Sequence, residues 1–484
     1  MTLARRIAEY AANLSFSDLD DATVHEARRR MIDSLACALG AWDAHAPNVA
    51  RRVAARCTCE PGAGYLGGKR PTIPALAAFV NGVLFRYLDY NDTYLSLEPA
   101  HPSDNIAAVL AAAQAAGQGG REIIAATVLA YEIQCRLCDA ASIRARGWDH
   151  VTYGAFSTAA AAAKLFGLDA AGIEQALNLA GTPNVALRQT RAGELSEWKG
   201  CAFANAARNG VFAATLAAEG LTGPSPIFEG EMGFFKQVSG EFELTTLRGS
   251  PGLDRSEVPV GNAPGHESPG LRRASSPGHP GASDFMIKRT SIKFWPAEYH
   301  SQSAIHAALE LRPRIGDAAD IRGIEIDSFD AAVDIIGKDP EKWRPRTRET
   351  ADHSLPYCTA VALLDGDVTL ESFSDARLHD EKLLELVSKI AVRRDAALTA
   401  RYPQGIPNRI TITLADGRQE TAENEFPRGH DRNPMSDEEV EAKFRRLAAG
   451  RLDEATQDKV LDACWKLEEL DRVEDLLGLF PAAG

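Results

Sequence analysis

The sequence predicts a mostly α protein in which a large all-helical domain is interrupted by a smaller α+β domain. Three patterns carry that expectation. Alanine-rich segments with helical periodicity follow one another up to about residue 245, apolar residues alternate with period two in places from Phe285 onward, and the helical period returns after about Glu425. The expected limits are 1–248 for the first part of the helical domain, 284–425 for the α+β domain and 426–484 for the returning helical part, with 249–283 between them. A length of 484 residues also exceeds what one domain ordinarily holds.

Each element has a local reason. Residues 106–116, 123–136, 157–165, 171–179 and 202–218 read as helices, and Gly117, Gly167, Gly181 and Gly220 stand where those helices should stop. So many small residues imply helices packed closely in several layers. Residues 249–283 contain no aromatic side chain and are bracketed by Gly249-Ser250-Pro251-Gly252 and Ser275-Ser276-Pro277-Gly278. They read as a disordered Pro/Gly-rich insertion, because they bury too little apolar surface to offset their chain entropy. Residues 323–329 read as a strand, and 409–414 as a strand entering a hairpin at Asp416-Gly417, with helices at 303–311 and 381–390 between. Ser436 opens a helix over 438–447, and 458–470 and 473–479 continue the helical pattern.

Composition narrows the function. A formal net charge of −14 argues against sequence-independent nucleic-acid binding, and means that an anionic substrate must be drawn in by a local cluster of cations. The N-terminus carries charges throughout and shows no secretory pattern, and no apolar run of about 20 residues is present, so no membrane span is expected. Eight cysteines in a chain of this size form no disulfide framework, and Cys135 and Cys138 fall on a helix as core residues, so a reducing cytoplasm fits. No metal site, cofactor loop or catalytic-serine motif is present, so no cofactor and no metal are expected.

The chemistry concentrates in a few segments. Residues 85–94 read as a helix end, with Asp89 and Thr93 four apart on one face, and His101-Pro102-Ser103-Asp104-Asn105 reads as the start of the next helix. Polar side chains converging on a helix start suit a small anion. His150 precedes another helix, as an anion-facing or a capping residue. Lys199 sits at a helix start, where a cation opposes the dipole unless it is an ordinary surface lysine. Lys293 and Glu298 lie among large apolar residues, as used charges or as a structural ion pair, and Tyr357 is either a hydrogen-bonding or a core aromatic. Cations, carboxylates and hydroxyls together suit abstraction of a proton beside a carboxylate, where the resulting charge needs preplaced cations.

Arg86-Tyr87-Leu88-Asp89-Tyr90-Asn91-Asp92-Thr93 with His101-Pro102-Ser103-Asp104-Asn105 resembles the R-[WY]-L-D-[FY]-N-D-T … H-P-S-D-N signature of the MmgE/PrpD (2-methylcitrate dehydratase-like) family. The segments around His150, Lys199, Lys293 to Glu298 and Asp352 to Tyr357 follow in the same order, and the likeness reaches Trp465-Lys466-Leu467. The resemblance implies a helical domain interrupted by an α+β lid, a homodimer, and metal-independent lyase chemistry on a small anionic tricarboxylate between the domains. Its matching positions are Asp89, Thr93, His101, His150, Lys199, Lys293 and Tyr357. It implies a hydro-lyase dehydrating 2-methylcitrate or a related tricarboxylate to a cis-aconitate-type product, with a place in propionate catabolism. A cis-aconitate-type decarboxylase or an iminodisuccinate-type epimerase of the same family is the alternative, and a non-catalytic tricarboxylate-binding scaffold is the alternative of another class. Glu298, where the decarboxylase branch carries histidine, and Asn91 favour the dehydratase branch, whereas Leu97-Glu98-Pro99-Ala100 departs from it. On this reading Lys199, Lys293 and His101 hold carboxylates, Asp89 or Glu298 is the base, and His150 with Tyr357 protonates the departing hydroxide.

Overall fold

The computed structural model describes residues 1–193, 195–244, 247 and 284–483. The insertion expected at 249–283 lies outside the described residues. The chain is mostly α with one small sheet. Helices α1 (Leu3–Asn13), α2 (Asp21–Gly40), α3 (His45–Ala54), α4 (Pro74–Arg86), α5 (Ile106–Ala115), α6 (Gly120–Ala140), α7 (Val151–Leu165), α8 (Ala170–Gly181) and α9 (Trp198–Ala218) come first. Gly117, Gly167 and Gly220 all take positive φ just past a helix, as stop residues should, whereas Gly181 is the last helical residue of α8.

Small residues set the layering. Helix α4 is buried along nearly its whole length and packs against α5 and α9, while α7 packs against α6 and α9. A Cβ on Gly82 would come within 2.9 Å of the Ala204 Cβ, and one on Gly154 within 2.4 Å of the Phe203 ring. These contacts bring the backbones of α4 and α7 onto α9. The core of this body also takes in Val440, Phe444, Leu447, Val460 and Leu461, so the helices Asp437–Ala448 and Glu454–Trp465 join it from the far end of the chain. No helix of the described residues is long and apolar enough to cross a membrane.

A second core runs from Trp295 to Ala422. Its sheet has the order β2-β1-β3-β4, with β1 (Ile321–Ser328) parallel to β2 (Ile390–Arg394) and antiparallel to β3 (Asn408–Leu414), which forms a hairpin with β4 (Gln419–Asn424). Strand β3 alternates buried and half-buried residues, and Gly417 takes φ +88° in the hairpin turn. Helix α10 (Gln302–Ile315) covers β3 and β4 and packs on the helix Leu355–Asp365. The helix expected over 381–390 ends at Ser388, because Ile390 begins β2, an edge strand whose mostly exposed residues carry no alternation to read.

Lys443 joins the two bodies. It is buried on the helix Asp437–Ala448, pairs with Asp33 of α2 at 2.6 Å, and donates to the carbonyls of Tyr90 and Lys293 at 2.7 and 2.9 Å. One ammonium therefore ties the segment after α4 to the segment that opens the second body.

Candidate active site

The site begins where α4 stops. Asp89 has φ +52°, the only positive value of a non-glycine residue among those described. The chain turns there and runs extended, and the backbone of Thr93 pairs with that of Ser291 by two hydrogen bonds of 2.8 Å. Asp89 and Thr93 therefore do not share a helix face, contrary to the spacing, because the helix has already ended at Arg86. The pairing with Ser291 does something else. It sets Lys293, two residues on, against Asp89, where its Nζ donates to the Asp89 Oδ1 at 2.7 Å and to the Asp89 carbonyl at 2.8 Å.

Four further side chains close on Asp89 and its neighbour. Arg86 donates to Oδ1 from one turn earlier. Lys199, on the first turn of α9, lies 3.7 Å from Oδ2 and donates to both oxygens of Asp352 at 3.1 and 3.3 Å. The His353 Nε2 is 3.2 Å from the Asp89 Oδ2, and its Nδ1 faces Asp352 and Lys199. Lys199 at a helix start is thus explained by a carboxylate from the second body. Asp89, Lys199, Lys293, Asp352 and His353 are all buried. Burial alone would raise the Asp89 carboxyl, but Arg86, Lys293, Lys199 and His353 hold it well below the usual carboxylate range. Burial lowers the Lys293 ammonium in spite of Asp89, with Arg86 adding to the effect.

The histidines form the other wall. His101 receives at Nδ1 the short reach of the Asp92 carbonyl, 2.7 Å, with the Thr93 Oγ1 at 3.0 Å, so its Nδ1–H donates to that carbonyl. Its ring lies 5.8 Å from that of His150. Burial, then Arg86 and Lys293, push His101 well below its ordinary value, and His150 adds to this, so His101 sits between the cation cluster and His150. His150 caps α7. Its Nδ1 is 2.8 Å from the Asp149 Oδ1, and the Asp149 Oδ2 accepts from Arg191 at 3.1 Å. Its Nε2 is buried without a partner. Burial lowers His150 despite Asp149, so a neutral imidazole presents an unused lone pair. Asp92 accepts from Tyr131 and from the Ser103 amide, and Asn91 donates to Ser103 and Asp104, so these residues hold the first helical turn after His101 in place. The anion site expected from that turn is filled by the protein's own side chains.

Glu298 turns back on its own segment. It accepts from the His300 amide at 2.8 Å and pairs with His300 Nδ1 at 2.7 Å, and His300 with the nearby His353 and Lys293 keeps it below the ordinary range against the pull of burial. Tyr357 is not brought to the cluster. It lies on the far side of its helix, donates to the Ser372 carbonyl at 2.8 Å and packs on Phe373, which fits the core reading of that residue. Arg86, Asp149, Arg191, Asp352 and His353 join these side chains, and none of the five is among the site candidates read from the sequence. Arg86 carries one available signal, a charge among the large residues Phe85, Tyr87 and Leu88, whereas Asp352 lies in a polar stretch and carries none. The departing segment 97–100 places Glu98 in the interior, where its Oε2 accepts from the amides of Ile143 and Arg144 at 2.9 and 3.0 Å, and so braces the loop before His150.

Asp89, Asp352 and His353 bring three donor atoms close enough for one metal ion. The donor set opposes one. Three cations, Arg86, Lys199 and Lys293, already touch the two carboxylates, and Arg86 also faces Asp104 at 3.7 Å. A divalent ion would have to displace these ammonium and guanidinium groups from the carboxylates it would bind. Two cavities, of about 580 and 250 Å³, are lined by none of these side chains.

Residues 5–247 match the model of the MmgE/PrpD N-terminal domain, and residues 295–467 that of the MmgE/PrpD C-terminal domain. The chain is 30% identical to the 2-methylcitrate dehydratase of Cupriavidus necator, over 90% of this chain and 88% of that protein. It is 29% identical to the 2-methylcitrate dehydratase of Salmonella typhimurium, over 93% and 91%. A fungal alkylcitrate dehydratase is 28% identical, over 99% of this chain and 93% of its own.

Proposed function

The chain belongs to the MmgE/PrpD family, and on that premise we propose that it is a metal-independent hydro-lyase that dehydrates 2-methylcitrate or a related tricarboxylate to a cis-alkene. The observation that carries the reading is the pairing of a buried cluster of three cations with an unpartnered imidazole nitrogen on His150. Lys199, Arg86 and Lys293 meet substrate carboxylates and the charge that develops when the adjacent carbon loses its proton. His150 Nε2 takes that proton, with Asp149 fixing the tautomer and stabilising the imidazolium. The electron pair becomes the new double bond, and the carbon–oxygen bond on the neighbouring carbon breaks.

The departing hydroxide takes a proton from Lys293, whose lowered pKa makes it a readier donor than an exposed lysine. Asp89 is better suited to hold cations than to act as base, because its oxygens already accept from Arg86 and Lys293 and its basicity is suppressed. Glu298 is similarly occupied by His300. His101 and Thr93 shape the wall beside His150. The second body supplies Lys293, Asp352 and His353, so it acts as a lid that opens to admit substrate.

The test is purified, chelator-treated protein incubated with 2-methylcitrate, citrate and cis-aconitate. A rise in ultraviolet absorbance with either citrate supports the reading. Carbon dioxide released from cis-aconitate in place of that rise assigns the decarboxylase alternative, and ligand-induced thermal stabilisation without turnover of any of the three assigns the binding scaffold.

A further inference from the structure

The geometry points to a second anion site, on the outer side of α3, that binds a phosphoryl group carrying more than one negative charge. A cavity of about 250 Å³ is lined there by Arg51, Arg52, Lys69 and Arg70, with Thr58 and Tyr65, and by no acidic side chain among the described residues. The chain as a whole is strongly acidic, so four cations around one cavity without a carboxylate are not a sample of its surface. Arg52, Lys69 and Arg70 make no ion pair among the described residues.

Arg51 is the floor of the cavity and is 5% exposed. Its Nε donates to the Leu66 carbonyl at 2.9 Å, and its Nη1 donates to the Trp42 carbonyl at 2.6 Å and to the Asn48 Oδ1 at 3.1 Å. The guanidinium lies 4.4 Å over the Trp42 ring. Its acceptors are thus all neutral, and its Nη2 is buried without a partner. Gly67, at φ +83°, lets the loop come this close, since a Cβ there would sit 2.7 Å from the Arg51 Nε. Arg51 makes no ion pair among the described residues, and Asp43, whose charge favours the guanidinium, is itself paired with Arg451, so the cavity favours an anion from outside.

The free atom says which kind. A planar carboxylate is clamped by Nε with Nη2 or by Nη1 with Nη2, and in each of these pairs one donor is already used. The cations of α3 and of the loop offer single donors around the cavity, which suits a tetrahedral group. The site is independent of the proposed reaction.

Calorimetric titration of the full chain with pyrophosphate, ADP and orthophosphate at low salt tests this. Saturable binding of pyrophosphate or ADP is expected. The Arg52→Ser/Lys69→Ser/Arg70→Ser variant, whose changes are all on exposed residues, should weaken it by about tenfold or more while its unliganded Tm stays unchanged. Arg51→Met should weaken it further, and if that variant fails to fold the surface variant decides. ADP binding more tightly than pyrophosphate assigns a nucleotide, and equal binding assigns the phosphoryl group alone. No binding of pyrophosphate or ADP, or binding unchanged in the surface variant, overturns the site.

Discussion

Replacing Lys293 by methionine keeps the length of the side chain and removes its charge. The lost contacts are the 2.7 Å bond to the Asp89 Oδ1 and the 2.8 Å bond to its carbonyl. Asp89 keeps Arg86, with His353 at 3.2 Å and Lys199 at 3.7 Å, so its carboxylate is not left unpaired. The stability loss is then about 1–3 kcal/mol, well inside the 5–15 kcal/mol of a typical domain, because removing a buried ammonium also removes its desolvation penalty. The effect on turnover is larger. Loss of a preplaced donor in a water-excluded site lowers kcat by about 10²–10³, and Lys293 is both a donor of charge and the proposed source of the leaving group's proton. The assay is the initial rate of alkene formation followed by ultraviolet absorbance, with circular dichroism and Tm on the same preparation. A folded Lys293→Met protein whose kcat/KM lies within about threefold of the parent would remove Lys293 from the chemistry.

Three other expectations follow from the same geometry. His150→Gln should lower kcat by about 10²–10⁴ with KM little changed, and should erase the acid limb of the rate profile. In the parent, the folded pKa of His150 is depressed, so its neutral form is lost only as pH falls below about 6.5, and the stability tied to that form goes with it in the same direction; a rate that rises on acidification would refute His150 as base. Asp104 behaves oppositely: burial lifts it to about 7 against the pull of Arg86, so its contribution to stability is full below the ordinary carboxyl value of 3.8 and is lost as pH rises toward neutrality. Asp104→Asn should therefore gain on the parent between those limits in thermal melts, and a Tm difference that does not vary with pH would count against the raised value. Tyr357→Phe removes one hydrogen bond to the Ser372 carbonyl, so stability should fall by about 1 kcal/mol while kcat is unchanged, and a large loss of activity would return Tyr357 to the site.

The sequence by itself determined the helices and much of the charge. Alanine periodicity located α5 to α9, and three of the four stop glycines took positive φ, because both depend on backbone sterics within a few residues. The hairpin at Asp416-Gly417 was legible for the same reason. β2 was not, since an exposed edge strand has no buried face to impose alternation. At the candidate site, Asp89, Lys199, Lys293, His101 and His150 stood out as polar groups in apolar surroundings, and the fold buries four of the five and brings them together.

What those residues do to one another was decided only in three dimensions. Asp89 looked available as a base until Arg86 and three cationic or imidazole groups from distant segments closed on it. Tyr357 looked like a donor until its helix turned the hydroxyl away. The open nitrogen of His150 depends on Asp149 and on Arg191, which is 42 residues away along the chain. Local spacing fixes which face of an element a side chain occupies. The charge state of a buried group depends on every charge within a few ångströms, and those neighbours come from parts of the chain that only tertiary packing brings together.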